Sequence, residues 1–406
     1  MEQSVGAGEE GSAQFRRRVF YIPGYDPIHP RRYRELYRKE GGDQARISGY
    51  QLDLKPRSVK GRYGWHVSTQ IEGQRSAADI EVLVWSDIVK TSMDRGIPGT
   101  YLQLCRTAWA YIGSGALFRL MRLRKGPMIA ALYPIVFLIV QLALACLCGW
   151  GLGLLVGQLH PLLGWIAGVV LIWEMLRAFK RWDNKVFAYY LMHDYAYSAQ
   201  FKGANPPELE ARMADFAVVI RSALTEGYDE VLVVGHSSGA HLAVSILSDL
   251  LRAGLPEAAG RLAFLSLGQV VPMVSFLPEA RRLRGDLAYL SAQDRVPWVD
   301  VTAPGDGCAF ALCDPVAVSG VAPKGKRWPL VVSAAFTQTL SPARWAELRW
   351  RFFRLHFQYL CAFDRPGDYD YFQITAGPLS LEDRYRHRSA SKSRIETPLS
   401  GYRTTQ

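Results

Sequence analysis

The most informative stretch of the chain is residues 230–239, which read Glu230-Val231-Leu232-Val233-Val234-Gly235-His236-Ser237-Ser238-Gly239. Its first half is an aliphatic, largely β-branched run, which is typical of a buried strand. After the second glycine the chain continues with Ala, Leu and Val residues that predict a helix through Leu251. A buried strand that turns into a helix in this way indicates an α/β domain with a parallel sheet.

The turn between this strand and helix has the pattern Gly-x-Ser-x-Gly, formed by Gly235, Ser237 and Gly239. This is the pattern of a nucleophile elbow, in which a serine sits on a sharp, strained turn and the flanking glycines leave room for it. The start of the following helix favours negative charge that develops beside the serine. An ordinary Gly/Ser turn has the same letters, but the strand before it and the helix after it favour a nucleophilic Ser237.

Outward from this motif, aliphatic runs predict further strands that alternate with helical segments. The predicted strands are residues 18–22, 65–71, 80–85, 261–267, 298–302 and 330–333. Alternation of this kind is typical of a mostly parallel sheet flanked by helices. The fold class predicted for the soluble part is therefore α/β.

An uncharged segment interrupts this pattern, because residues 126–173 contain no Asp, Glu, Lys or Arg. As one helix, rising about 1.5 Å per residue, the segment would be about 72 Å long, against about 30 Å for the hydrocarbon core of a bilayer. We therefore predict a transmembrane helical hairpin of residues 128–149 and 154–173 that turns at residues 149–153. A turn at residues 158–161 is the alternative, with a longer first helix and a shorter second one.

Basic residues flank the hairpin on both sides, and its turn has no charge. They are Arg119, Arg122, Arg124 and Lys125 before it and Arg177, Lys180, Arg181 and Lys185 after it. The positive-inside rule then predicts a multi-pass protein of the inner (cytoplasmic) membrane whose soluble domain and termini are cytoplasmic. We call these eight residues the basic collar, and they contribute to the net charge of +11, which results from 48 Lys+Arg against 37 Asp+Glu. A basic collar is attracted to anionic headgroups. No motif indicates nucleic-acid binding.

These features divide the chain into five segments. Residues 1–14 are predicted to be a disordered N-terminus, and residues 15–125 the first part of the soluble domain with a helix that approaches the membrane. The hairpin occupies residues 126–175. Residues 176–380 form the second part of the soluble domain, with the elbow, and residues 381–406 a disordered basic tail.

With the elbow in this context, the chain resembles the α/β-hydrolase superfamily over most of its soluble part. The resemblance implies a triad in the order Ser, acid, His and an oxyanion hole of two backbone N–H groups. An early strand leads into Pro23-Gly24-Tyr25-Asp26, where this superfamily often has His-Gly. By resemblance the two donors are the N–H groups of Tyr25 and Ser238. A plain Pro-Gly turn is the alternative.

The same resemblance restricts the choice of base and acid. Only His356 and His387 lie late enough for the base, and His387 lies in the polar tail, so His356 is preferred. For the acid, Asp306 follows the predicted strand at residues 298–302. Asp314, in an Asp-Pro turn, is its rival, and Asp300 lies inside the strand itself.

These residues predict a membrane-anchored serine hydrolase that cleaves an acyl ester or thioester, with lipid-derived esters among the options. An acyltransferase on the same scaffold and a non-catalytic, hydrolase-like membrane interaction protein are the alternatives. The expected partners are the acyl substrate and the bilayer. No His/Cys/Asp cluster has the spacing of metal ligands, so neither a metal nor an organic cofactor is predicted.

Overall fold

A computed structural model describes residues 14–57, 62–257 and 259–406 of the chain. Within them, eight strands form one mixed sheet in the order β2-β3-β4-β1-β5-β6-β7-β8. The strands are β1 (Phe15–Ile22), β2 (Gln51–Pro56), β3 (Gly64–Ile71), β4 (Gln74–Val82), β5 (Glu230–His236), β6 (Arg261–Leu267), β7 (Trp298–Thr302) and β8 (Leu330–Ser333). The pairs β2–β3 and β3–β4 are antiparallel, and all the others are parallel. The predicted α/β class with a mostly parallel sheet is confirmed.

Helices lie between the strands and follow the last one. The first nine are α1 (Arg31–Ser48), α2 (Ser86–Met93), α3 (Ile97–Gly113), α4 (Ala116–Leu123), α5 (Lys125–Gly157), α6 (Pro161–Arg181), α7 (Asp183–Val186), α8 (Ala188–Ala199) and α9 (Pro207–Ala223). The others are α10 (Gly239–Arg252), α11 (Val271–Ser275), α12 (Arg281–Ser291), α13 (Pro315–Val318), α14 (Phe336–Thr339), α15 (Pro342–Leu348), α16 (Phe352–His356), α17 (Tyr371–Ala376) and α18 (Leu381–Tyr385). A 3₁₀ turn occupies Gln358–Leu360.

Both faces of the sheet are buried, and successive side chains of β1 show why. Val19 and Tyr21 pack into one apolar core with α1 and α17, whereas Phe20 and Ile22 pack into another with α9, α10 and α12. Because side chains alternate along a strand, a strand covered on both faces needs a continuous apolar run. The parallel strands then end at one edge of the sheet, which is where loops collect functional side chains in this class of fold.

Two consecutive helices, α5 and α6, are long and apolar enough to cross a membrane. Only 28% and 17% of the residues in their most apolar windows are buried, whereas a core helix of a soluble protein would be mostly buried. Outward-facing side chains such as Leu155 and Trp165 are more than half exposed. The two helices pack mainly on each other, so most of their apolar outer surface is not covered by any described part of the chain.

The hairpin turns later than we predicted. The structure places the turn after α5, at residues 158–160, and not at residues 149–153, which are helical. Glycines of that stretch instead let the helices approach closely: a Cβ at Gly149 would lie 2.7 Å from the Gly168 carbonyl oxygen. His160 ends the turn and caps α6, because its side chain accepts a hydrogen bond from the Leu162 N–H.

The predicted disorder of the tail, residues 381–406, is also wrong. α18 opens this segment, and the rest runs along the domain surface. The Ile395 N–H donates to the Leu312 carbonyl (2.7 Å), and the Asp314 N–H donates to the Ile395 carbonyl (2.9 Å). Backbone pairing of this kind satisfies polar groups on both segments and holds the basic tail in place. The predicted disordered N-terminus lies outside the described residues except for Gln14.

Candidate active site

Ser237 lies between the end of β5 and the start of α10 with a backbone φ of 56°. This left-handed conformation is unfavourable for a residue with a side chain, so the surrounding structure must impose it. The neighbouring glycines allow the turn to pack. A Cβ at Gly239 would lie 2.1 Å from the Ile22 carbonyl oxygen, and one at Gly235 would lie 2.7 Å from Ala240 Cα. This is the strained geometry that the elbow motif predicts.

The Pro23-Gly24 loop after β1 touches the serine directly. A Cβ at Gly24 would lie 2.9 Å from Ser237 Cβ, so only glycine allows this approach. The next residue, Tyr25, and Ser238 line the same cavity as Ser237. Within the described parts of the chain, neither the Tyr25 N–H nor the Ser238 N–H donates a hydrogen bond. Two free backbone donors beside a serine are what an oxyanion hole requires.

The structure brings Asp306 and His356 together. His356 Nδ1 lies 2.7 Å from Asp306 Oδ2, and both side chains are buried. Asp306 also accepts hydrogen bonds from the Cys308 N–H (2.9 Å) and the Tyr359 hydroxyl (3.1 Å). Burial acts to raise the pKa of Asp306, but the facing His356 and these donors outweigh it and hold the pKa below its usual value. The carboxylate therefore stays charged and orients the imidazole.

The two alternative acids, Asp314 and Asp300, have other hydrogen-bond partners. Asp314 caps α13 by accepting from the N–H groups of Val316 and Ala317, and it pairs with Lys326 at 2.6 Å. Asp300 lies inside β7 and accepts from the Ser266 hydroxyl at 2.5 Å. Burial raises the pKa of Asp300 to about 8, so this acid is mostly neutral at pH 7. Neither carboxylate contacts a histidine, and Asp306 is the acid that geometry favours.

Ser237 and His356 face one cavity but are not hydrogen-bonded to each other in the structure. Ser237 Oγ makes no hydrogen bond to any described residue. In unliganded active sites, bonds between nucleophile and base are often long and tighten only when substrate is present. The arrangement is therefore that of a nucleophile and an oriented base that share one space.

His236, the variable residue of the elbow, has a supporting contact that the sequence did not reveal. Its ring stacks on that of His356 with centroids 4.9 Å apart, and its Nε2 lies 3.1 Å from the His356 carbonyl oxygen. Burial lowers the pKa of His236 to about 3, so the ring is neutral and donates from Nε2 to that carbonyl. It therefore fixes the backbone of His356. His387, by contrast, is exposed in the tail.

The cavity at Ser237 has a volume of about 80 Å³ and is partly open to solvent. Besides the residues above, α8 contributes Tyr190, Leu191, Asp194, Tyr195 and Ser198 to its lining. α8 also supports the loop that contains Gly24 and Tyr25, because the Tyr190 hydroxyl donates to the Tyr25 carbonyl at 2.5 Å. The hairpin reaches the cavity too, through Pro127 at the start of α5.

Asp194 is a second acid in this cavity that sequence reasoning missed. Burial raises its pKa to about 7, and the nearby His356 partly opposes that rise. No described residue forms a hydrogen bond with its carboxyl group. In the sequence, Asp194 is recognisable only as one acidic residue in the tyrosine-rich helix α8. Its position in the same cavity as Ser237 results from the packing of α8 above the sheet.

One cluster has the residue types of a metal site. Ligand atoms of Asp306, Cys308 and His356 lie within 4.8 Å of one another. However, the Asp306–His356 hydrogen bond already occupies Nδ1 of the histidine. Burial also raises the pKa of the Cys308 thiol, which disfavours the thiolate that a metal would need. The cluster therefore fits a hydrogen-bonded acid–base pair better than a metal centre.

The arrangement combines a strained serine, two free backbone donors and a buried acid–histidine pair around a single cavity. Together these groups could carry out nucleophilic attack on a carbonyl carbon and hold the resulting oxyanion. Comparison of the chain with protein-family models, with curated proteins and with solved structures found no match.

Proposed function

We propose that this chain is a membrane-anchored serine hydrolase of the α/β-hydrolase type, which cleaves an acyl ester or thioester through an acyl-enzyme. The observation that carries the proposal is the positive φ of Ser237 at the end of β5, with a buried Asp306–His356 pair facing the same cavity. Backbone strain of this kind clusters at active sites and ligand-binding sites. A turn with only a structural role would not need an oriented histidine beside it.

In the proposed mechanism, Asp306 accepts a hydrogen bond from the Nδ1–H of His356 and stays charged, so that Nε2 carries no proton and can act as a base. Nε2 takes the proton of Ser237 Oγ as the oxygen attacks the carbonyl carbon. The N–H groups of Tyr25 and Ser238 hold the oxyanion, each donor being worth roughly 10²–10³ in rate. The imidazolium then returns its proton to the leaving alcohol or thiol, and an acyl-enzyme remains.

Water completes the cycle by the same steps in reverse. His356 removes a proton from water, the hydroxide attacks the acyl carbon, and Ser237 Oγ leaves with the proton from the imidazolium. If an alcohol attacks the acyl-enzyme in place of water, the reaction is that of an acyltransferase. Analysis of products with and without candidate alcohols separates the two reactions.

The hairpin of α5 and α6 is proposed to anchor the enzyme in the membrane. The uncovered apolar surface of both helices supports this, as does the basic collar at their soluble ends. By the positive-inside rule, the basic collar supports a cytoplasmic location for the catalytic domain.

The proposal is tested by labelling the full chain, purified in lipid nanodiscs, with a fluorophosphonate. We expect labelling of the wild type and none of Ser237→Ala. Ser198→Ala is the matched control, because Ser198 lines the same cavity without lying on the elbow, and it should be labelled normally. Equal labelling of the wild type and Ser237→Ala would show that the assignment of the nucleophile is wrong.

A further inference from the structure

A second cavity, of about 80 Å³, lies between α3 and α5 and next to the catalytic one. Its walls are apolar except for Thr107 and the hydroxyl groups of two tyrosines. The lining residues are Thr107, Ala108, Tyr111, Ile112, Leu117, Met128, Ala131, Leu132, Ile135, Tyr195 and Met273. A cavity with an apolar lining does not hold water well, so this one suits an apolar ligand.

The two cavities share a wall. Tyr195 and Met273 line both of them, one from α8 and the other from α11. The wall is fixed by Tyr111, whose hydroxyl donates to the Met273 carbonyl at 3.0 Å. An apolar group that passed this wall from the second cavity would therefore reach the space in front of Ser237.

The outer side of the second cavity has the surface of a membrane-facing region. On α3 and α4, Trp109, Ile112 and Phe118 are 76%, 51% and 59% exposed, and Ile129 near the start of α5 is 64% exposed. These side chains continue the uncovered apolar surface of the hairpin. A contiguous apolar surface of this kind marks an interaction with lipid or protein, and its continuity with α5 favours lipid.

We infer that the second cavity binds the acyl chain of a lipid ester, which reaches Ser237 laterally from the bilayer between α3 and α5. This inference rests on the proposed function and names its substrate class. The chain would occupy the space beside Ala108 and Ala131, and the ester carbonyl would lie past Tyr195 and Met273. The leaving group of the lipid would then occupy the more polar catalytic cavity.

The test compares alkyl fluorophosphonates with a short and a long chain on the full protein in nanodiscs. The measured quantity is the ratio of their rates of Ser237 labelling. Ala108→Phe and Ala131→Phe each fill the second cavity, the first from its half-buried rim and the second from its buried wall. We expect each variant to lower the long-to-short ratio by about tenfold, which is what the burial of two methylene groups contributes.

Val140→Phe is the matched control, because Val140 lies on α5 as Ala131 does, is 58% exposed and lines neither cavity. Its ratio should equal that of the wild type. If Ser237 is labelled in every variant and neither cavity-filling substitution lowers the ratio, the inference is wrong while the proposed function stands. Because Ala108 is at the rim, its variant keeps the test decisive if Ala131→Phe does not fold.

A binding measurement separates failure of the inference from failure of the proposed function. If neither phosphonate labels Ser237, the proposed function is wrong, and the site is tested with a fatty acid that carries a photoreactive diazirine. Crosslinks at Tyr111 and Met128 that Ala108→Phe abolishes, and Val140→Phe does not, would support the acyl site. Crosslinks that Ala108→Phe leaves unchanged would overturn it.

Discussion

At the scale of single residues, Asp306 illustrates how the site concentrates polar contacts. This carboxylate accepts three hydrogen bonds, from His356, Cys308 and Tyr359, in a place that water does not reach. The Tyr359 hydroxyl in turn accepts from the Ala303 N–H at 3.0 Å. A buried polar group is stable only when it is satisfied in this way, and the network that satisfies it also fixes its direction.

The choice of acid gives a prediction at this scale. Asp306→Asn should lower kcat for ester hydrolysis by roughly 10³–10⁴, because the amide favours the wrong imidazole tautomer. Asp314→Asn is the matched comparison, since this acid pairs with Lys326 and does not touch His356. It should reduce stability and leave kcat within about threefold of the wild type. A larger loss of kcat in Asp314→Asn than in Asp306→Asn would reverse the assignment.

Asp194 gives a prediction about pH and stability. Its pKa of about 7 lies above the ordinary value of 3.8, so the folded state binds the proton more tightly than the unfolded state does. The free energy of unfolding must then fall as the pH rises from about 4 to about 7, and the penalty persists above that range. Asp194→Asn should remove this loss.

We therefore expect Asp194→Asn to match the wild type near pH 4 and to be more stable at pH 8 by on the order of 2 kcal/mol. Denaturant midpoints at the two pH values measure the difference. An exposed carboxylate of α9, Asp215, serves as the control, and Asp215→Asn should change the midpoint little at either pH. A stabilisation of Asp194→Asn that is equal at both pH values would contradict the prediction.

At the scale of elements, glycines decide how closely the two hairpin helices pack. A Cβ at Gly164 would lie 2.4 Å from the Gly153 carbonyl oxygen and 2.6 Å from Gly157 Cα, so α5 and α6 touch backbone to backbone there. Gly151, in the same stretch of α5, has open space around its Cα. The two positions have the same residue type and opposite surroundings.

This contrast predicts opposite effects of the same substitution. Gly164→Ala should destabilise the hairpin by about 1–3 kcal/mol, because the added methyl group forces the helices apart. Gly151→Ala should be neutral or stabilising by up to about 1 kcal/mol, because alanine favours the helix. Unfolding midpoints in detergent measure both. Equal effects of the two substitutions would show that the close contact does not contribute to stability.

The elements also show what the sequence could predict. The seven predicted strands are present, because buried parallel strands need aliphatic runs that are visible locally. β2 was missed, since Gln51-Leu52-Asp53-Leu54-Lys55-Pro56 lies at the sheet edge and is largely polar. The expected single helix before the hairpin is split into α3 and α4 at Gly115, whose φ is 71°. Glycine adopts this left-handed backbone readily, and it commonly ends a helix there.

The residues of the candidate site also divide into those that the sequence could predict and those that it could not. Ser237 could be predicted from a local motif, and Asp306 and His356 from chain order once a resemblance to a family was adopted. Tyr359 and His236 could not be assigned, because their contacts depend on how the loops after β7 and β8 meet. Asp194 depends on the long-range packing of α8 above the ends of the strands.

At the scale of the whole molecule, the C-terminal tail holds distant parts together. Arg284 is buried, and its guanidinium donates to the carbonyls of Ser275 and Leu277 and, in the tail, to that of Thr404. The backbone of Ile395 pairs with those of Leu312 and Asp314, which follow Asp306 in the chain. The tail is therefore part of the packed domain.

Removing residues 395–406 should consequently destabilise the soluble domain by about 2–4 kcal/mol, because it leaves buried donors and acceptors without partners. Removing only the exposed terminal Gln406 is the control and should have little effect. Thermal unfolding of the full chain and of both truncations measures the difference. Unfolding temperatures that agree among all three proteins would show that the tail contributes nothing.

The position of the hairpin within the domain also sets the order in which the protein can be made. β1 pairs with β4 on one side and with β5 on the other, and β5 is encoded only after the hairpin. At about 5–20 residues per second, a ribosome needs roughly 10–40 s to extend the chain from Ile22 to Glu230. Throughout that interval one edge of β1 is unpaired and open to aggregation. The hairpin therefore leaves the ribosome, and can enter a bilayer, before the sheet can close.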